Sequence, residues 1–261
     1  MTHTPPLAGI GVLITRPAEQ AEHLGRLLRA EGAIPISFPT LEIAPPSDPE
    51  AMRQTLTRAH AYDWCVFVSP TAVERSWPTL QAIHPDWPGS VRLAAVGPGS
   101  ARALRQHGAH EVLSPKNGGD SEYLLALSFL QDMRGQRVLI VRGEGGRPLL
   151  GDTLRQRGAE VDYAQCYRRR CPDTDPSPVL ERWRAGGIQA VVCTSAEILA
   201  NLIALLGAAG FSLFAATPLF VPHPRIAADA HAHGLTRVHT TAAGDAGILQ
   251  GLREWFSHRH D

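Results

Sequence analysis

Between Cys166 and Cys171 the chain reads Tyr167-Arg168-Arg169-Arg170. A phenol carries its proton at neutral pH and can donate it. Arginines grip carboxylates through a rigid fork of donors, and paired thiols bind metals. The segment is therefore a metal site, a charged surface strand or a place of chemistry. The thiols argue against metal. None of the four cysteines forms a CxxC pair, and no His or Cys pair lies nearby at finger-type spacing. Cys65 and Cys193 sit in apolar runs, where a thiol is a small buried hydrophobe. No metal is expected, and free thiols fit a reducing, cytoplasmic setting.

A second set of residues suits anions. Six turns follow apolar runs: "TRP" (15–17), "SPTA" (69–72), "VGPGSA" (96–101), "RGEGGR" (142–147), "TSAE" (194–197) and "PHPRIA" (222–227). Each can present free backbone N–H groups at a helix start, where negative charge is favoured. The candidate anion ligands are Arg16, Ser69, Thr71, Gly97, Ser100, Arg142, Gly143, Gly145, Gly146, Thr194, Ser195, His223 and Arg225. The same turns read individually as ordinary helix caps, and His223 as a cap or an anion ligand.

Other chemistries fail on detail. In "RGEGGRPLL" (142–150) Arg147 and Pro148 stand where a phosphate loop needs Lys and Ser or Thr. "VGPGSAR" lacks the last glycine of a dinucleotide loop. There is no GxSxG and no HExxH, and Ser69 and Ser195 have no local base, so serine nucleophile chemistry is not expected. The 25 basic and 25 acidic residues balance, which gives no field for nucleic acid or membrane. No apolar run is expected to approach membrane-span length, and no signal peptide is expected.

The elements that must position these residues repeat. Short Val- and Ile-rich runs alternate with stretches of helical periodicity, which argues for parallel α/β sheets. "VLITRP" (12–17) matches "VLIVRG" (138–143), and "VFVSPTAV" (66–73) matches "VVCTSAEI" (191–198), placing Ser69 on Ser195. "GDSEYLLAL" (119–127) likewise matches "GDAGILQGL" (244–252). Two α/β units follow. They are tandem domains cut near residue 130, or they interleave, with the proline-flanked stretches 37–47 and 163–175 running side by side between them.

These motifs, in this order, resemble the uroporphyrinogen-III synthase family over essentially the whole chain. "VLITRPAEQAEHLGRLLRAEGAIPISFPTLEI" resembles that family's opening, and "YDWCVFVSPTAVE" its segment around Thr-Ser. "VGPGSARAL" resembles a later turn, and "VLIVRGEGGRPLLGDTLRQRGAEVDYAQCYRR" its most characteristic stretch, which ends in a tyrosine. The resemblance implies two flavodoxin-like parallel-sheet domains, interleaved in sequence and joined by a two-stranded β-ladder. Residues 1–40 plus 176–261 would form one domain, 48–162 the other, and 41–47 with 163–175 the ladder.

The resemblance also implies an enzyme, a lyase. It would close the linear tetrapyrrole hydroxymethylbilane into uroporphyrinogen III, with inversion of ring D and loss of water, through azafulvene and spiro intermediates. No cofactor is implied. Tyr167 falls on the family's proposed acid. The implied partner is the polycarboxylate substrate, bound by a monomer in the cytoplasm, with hand-over from hydroxymethylbilane synthase. The chain departs from the family where "HPRIA" (223–227) puts His223 for a glycine and Ile226 for a hydroxyl. A two-domain protein that closes on a small anion without catalysis is the alternative that the same fold allows.

Overall fold

The computed structural model describes residues 5–257. The outermost residues of the expected first domain, 1–4 and 258–261, lie outside the described residues. The chain divides into two compact units, Met1–Glu42 with Arg170–Asp261, and Ile43–Arg169.

The elements run β1 (Gly11–Ile14), α1 (Ala18–Ala30), β2 (Ile34–Ser37), β3 (Glu42–Ala44), α2 (Pro49–Thr57), β4 (Trp64–Phe67), α3 (Pro70–Ile83), β5 (Arg92–Ala95), α4 (Pro98–Gln106), β6 (Val112–Leu113) and α5 (Ser121–Leu125). They continue with β7 (Arg137–Gly143), α6 (Leu149–Gln156), β8 (Glu160–Arg170), α7 (Ser177–Arg184), β9 (Ala190–Val192), α8 (Ala196–Ala215), β10 (Leu219–Val221), α9 (Pro224–Ala232), β11 (Val238–Thr240) and α10 (Gly244–Ser257). The first unit's sheet has the order β11-β10-β9-β1-β2, the second's β3-β8-β7-β4-β5-β6. This is the α/β architecture of parallel sheets that the alternating pattern requires. The segment 163–175 is, in its first part, the continuation of β8, and β3 lies beside β8 at the sheet edge.

Central strands such as "WCVF" in β4 and "AVV" in β9 are buried at every residue. A parallel strand covered by helices on both faces demands that continuous apolar run. In the first unit Leu13, Val191 and Val221 face α7, α8 and α9, while Val12, Ile14, Val192 and Phe220 face α1 and α10. In the second, Cys65, Phe67, Leu139 and Val141 face α2, α3 and α4, and Trp64, Val66, Val138 and Ile140 face α5 and α6.

The repeat extends to strand register. Val12 pairs with Ala190 and Val138 with Trp64, so that 12 + 126 = 138 and 64 + 126 = 190. Gly11–Ile34 and Arg137–Glu160 obey the same offset, as do Leu219–Val191 with Leu93–Cys65 and Leu219–Val238 with Leu93–Val112. Helix ends repeat too: Gly32 after α1 and Gly158 after α6 both take left-handed φ, 76° and 95°, which a side chain resists.

One expectation is corrected. The run Ala196–Ala215 forms a helix long and apolar enough, by length and composition, to cross a membrane. Here α8 breaks helical geometry at Gly207, with φ 58° and ψ −170°. It packs Ile198, Leu202, Leu206 and Phe214 into the first unit's core, so its hydrophobicity serves that core.

Candidate functional site

In the first unit, strands taken in chain order lie as 2-1-3-4-5, and the order reverses between β1 and β9. Open α/β sheets bind ligands beyond the carboxyl ends of the strands at such a reversal. The repeat carries the same crevice into the second unit, between β7 and β4.

At the second unit's crevice β4 ends at Phe67, and Ser69 caps α3 with extended backbone, its Oγ accepting from the Ala72 N–H at 3.0 Å. A serine before Pro70 suits this place, because proline at the first helical position sacrifices no bonded N–H. Beside it β7 runs out to Arg142 and Gly143. Arg142 pairs with Gln165 of β8, but Gly143 pairs with Tyr167, skipping Cys166. This one-residue bulge re-aims the strand. In a regular strand Ala164 and Cys166 would share a face and Tyr167 would point away. Past the bulge all three lie in the core under α3.

Tyr167 is 3% exposed, and its hydroxyl lies 3.2 Å from Ser69 Oγ. Its carbonyl accepts from the Glu144 N–H at 2.7 Å. The ring lies close against Gly143, where a Cβ would come within 2.7 Å of two ring carbons. The phenol is therefore buried, with its hydroxyl beside a serine.

Of the arginines in the opening motif, Arg168 is half-buried and Arg169 and Arg170 are exposed. Arg168 Nη1 donates to Ser47 Oγ at 3.4 Å, and Ser47 donates from both N and Oγ to Glu144. The Ser47 backbone bond, more than Arg168's charge, holds Glu144 below the usual carboxylate range. Arg170 pairs with Glu42. Cys166 is buried and donates to the Arg142 carbonyl at 3.2 Å, and Cys171 is exposed.

Arg142 is half-buried near the end of β7. It turns onto its own loop, bonding the carbonyls of Gly143, Gly145 and Arg147, and its guanidinium lies 5.3 Å from the Tyr163 ring centroid. Gly145 and Gly146, both exposed, take positive φ to close that turn. Thr71 is half-buried in the first turn of α3. Gly97 is buried at the start of α4, with a Cβ position 2.7 Å from Gly119 Cα, and Ser100 is buried one turn in.

In the first unit Ser195 repeats the Ser69 cap, accepting from the Ile198 N–H at 3.2 Å, with Thr194 half-buried before it. By the same offset, 41 + 126 = 167, Leu41 is the sequence counterpart of Tyr167, and it is buried in the first core. The phenol therefore belongs to one repeat only. His223 caps α9, its Nδ1 accepting from the Arg225 N–H at 3.0 Å, while Arg225 is exposed. Arg16, the counterpart of Arg142, meets Asp245 Oδ1 at 2.7 Å, and His23 Nδ1 meets the other oxygen at 2.7 Å. Their side chains are 11% and 15% exposed for Arg16 and Asp245. Burial pushes the Asp245 carboxyl up, but bonds from His23 and Arg16 outweigh this and hold it below the usual range. Asp245 and His23 were missed in the sequence; the only signal was the repeated Gly-Asp pair at 119–120 and 244–245.

Residues 22–247 match the family described as uroporphyrinogen-III synthase HemD. The chain is 36% identical over 196 residues to the uroporphyrinogen-III synthase of Salmonella typhimurium, covering 75% of this chain and 80% of that one. It is 35% identical over 197 residues to that of Escherichia coli, covering 76% and 80%, and 33% over 194 residues to that of Proteus mirabilis, covering 74% and 98%. Among solved structures, a mutant uroporphyrinogen III synthase of Thermus thermophilus superposes with TM-score 0.61 at 20% identity, over 95% of this chain and 99% of that one. The Helicobacter pylori protein follows at 0.58 and 11%, over 92% and 97%. Both carry the same fold.

Proposed function

The chain belongs to the uroporphyrinogen-III synthase family, and we infer that it converts hydroxymethylbilane into uroporphyrinogen III, as a lyase of tetrapyrrole biosynthesis. The carbon–oxygen bond of the terminal hydroxymethyl group breaks, and the hydroxyl leaves with the electron pair. A proton from Tyr167 makes it water. The azafulvene left behind is attacked by the substituted carbon of the last ring, giving a spiro intermediate. That opens, the ring turns over, and the bond re-forms at the free position. The proton lost from that carbon returns to the phenolate, so the net change is loss of water.

The observation that carries this reading beyond the family name is the phenol of Tyr167, set by a bulge against Ser69 at the crevice where α/β sheets take ligands. The leaving hydroxyl is the one group that wants a proton donor. Holding the chain so that its substituted carbon lies nearest the electrophile is the larger part of the task. The strand-end N–H groups and arginines suit the substrate's many carboxylates. We place the protein in the cytoplasm as a monomer, receiving substrate from the synthase that makes it.

The test is product identity. Purified protein given freshly generated hydroxymethylbilane should yield the type III macrocycle, read as isomer composition after oxidation to porphyrin. Type I product at the buffer rate would overturn the reading.

A further inference from the structure

We propose that Ser69 is a positioning residue for Tyr167: its hydroxyl donates to the phenolic oxygen, leaving the phenol's proton free for the departing hydroxyl. The inference rests on reading Tyr167 as the acid. Two arrangements fit the 3.2 Å contact. If the tyrosine donated to the serine, its one proton would be spent inside the protein. If the serine donates, the phenol keeps its proton for the substrate.

Ser69 favours the second arrangement. Its Oγ already accepts the Ala72 N–H at 3.0 Å, and a hydroxyl polarised by accepting one bond is a better donor of the next. As the proton leaves Tyr167, negative charge gathers on the phenolic oxygen. The Ser69 bond then becomes a charge-assisted one, of the stronger kind, beside a helix start that favours negative charge. The first unit supplies the internal contrast. Ser195 makes the same cap, but the residue 126 positions before Tyr167 is a leucine, Leu41. Capping alone accounts for the serine there, and the second unit adds a phenol within reach of the same oxygen.

Gly143 and the Cys166 bulge fix the ring from below. The hydroxyl's direction is what remains to be set, and Ser69 sets it. Because the effect passes through the phenolic oxygen, it must vanish when that oxygen is removed.

The experiment is a double-mutant cycle on type III formation from freshly generated hydroxymethylbilane. Ser69→Ala should lower kcat about 10–100-fold, the loss of one hydrogen bond to a developing charge, with KM changed less than about 2-fold. In a Tyr167→Phe background the same change should alter kcat less than about 2-fold. Ser69→Thr, which keeps both cap and hydroxyl, should restore most of the rate. Ser69→Gly, a milder loss at a cap position, replaces Ser69→Ala if that variant does not fold. Equal effects in both backgrounds would reduce Ser69 to a cap, and a raised KM in both would make it a substrate ligand; either overturns the proposal. Normal turnover by Tyr167→Phe would instead remove Tyr167 as the acid.

Discussion

Gly143 pairs with Tyr167 where regular register would have brought Cys166. The skipped residue turns the phenol onto the face under α3, and the absent side chain of Gly143 leaves room for its ring.

Tyr167→Phe keeps that ring and removes only the hydroxyl. It should slow cyclisation about 10–1000-fold, within or below the range for a general acid, with folding intact. Rate and isomer composition on hydroxymethylbilane check this. Wild-type turnover would leave the chemistry to backbone donors and water.

Gly143→Ala tests the support beneath the ring. A Cβ 2.7 Å from two ring carbons must displace one or the other. Overpacking of this kind costs about 1–3 kcal/mol, so Tm should fall by several degrees. The shifted phenol should lower kcat as well. Unchanged Tm and activity would show that the ring does not lie on this backbone.

Asp245→Asn tests the clamp on Arg16. The amide keeps one acceptor oxygen but loses the charge and the second acceptor shared between Arg16 and His23, a loss of about 1–3 kcal/mol at neutral pH. The folded-state acid is stronger than the unfolded one, so its contribution is present above the ordinary carboxylate value of about 4. It is lost as pH falls through the lower folded value. Denaturant melts should therefore show a gap between wild type and variant at pH 7 that narrows below pH ~4. A gap that widens in acid would reverse the assignment.

The thiols should separate sharply. Burial pushes Cys166 and Cys193 up to about 12 and Cys65 further still. Cys171 is exposed and raised less, by partial burial and by Glu42. A thiol reagent at pH 8 should label one of the four cysteines in the native protein, and none in Cys171→Ser. Fast labelling of further sites would contradict the burial of Cys65, Cys166 and Cys193 in the two cores.

What the sequence showed followed from local physics. A buried parallel strand is an uninterrupted apolar run, so β4, β7 and β9 were visible. A helix that begins Ser-Pro or Gly-Pro announces its own start, as at Ser69 and Gly97. The repeat reached as far as register, because 126 residues separate the equivalent residues of the paired strands. The bulge at Cys166 was not legible, since "AQCYRRR" has no residue that demands it; only the pairing partner reveals an extra residue. Nor was the role of Asp245, which meets Arg16 across 229 positions. Its counterpart Asp120 instead caps α5, so likeness between the repeats hid a difference in use. His223 was read both as ligand and as cap, and its Nδ1 serves the α9 cap.

The sheet orders have a mechanical consequence. The strands before residue 114 supply β1 and β2 to one sheet and β3 to β6 to the other; those after residue 136 supply the rest. Both central pairings, β1 with β9 and β4 with β7, therefore join one half of the chain to the other. A proteolytic nick between 114 and 136 would not free either half, because each fragment is threaded into both sheets. Neither fragment alone contains a complete sheet, whereas the two expressed separately hold complementary edges at both places. Fragment complementation, rather than autonomous folding of halves, is the behaviour that this connectivity dictates.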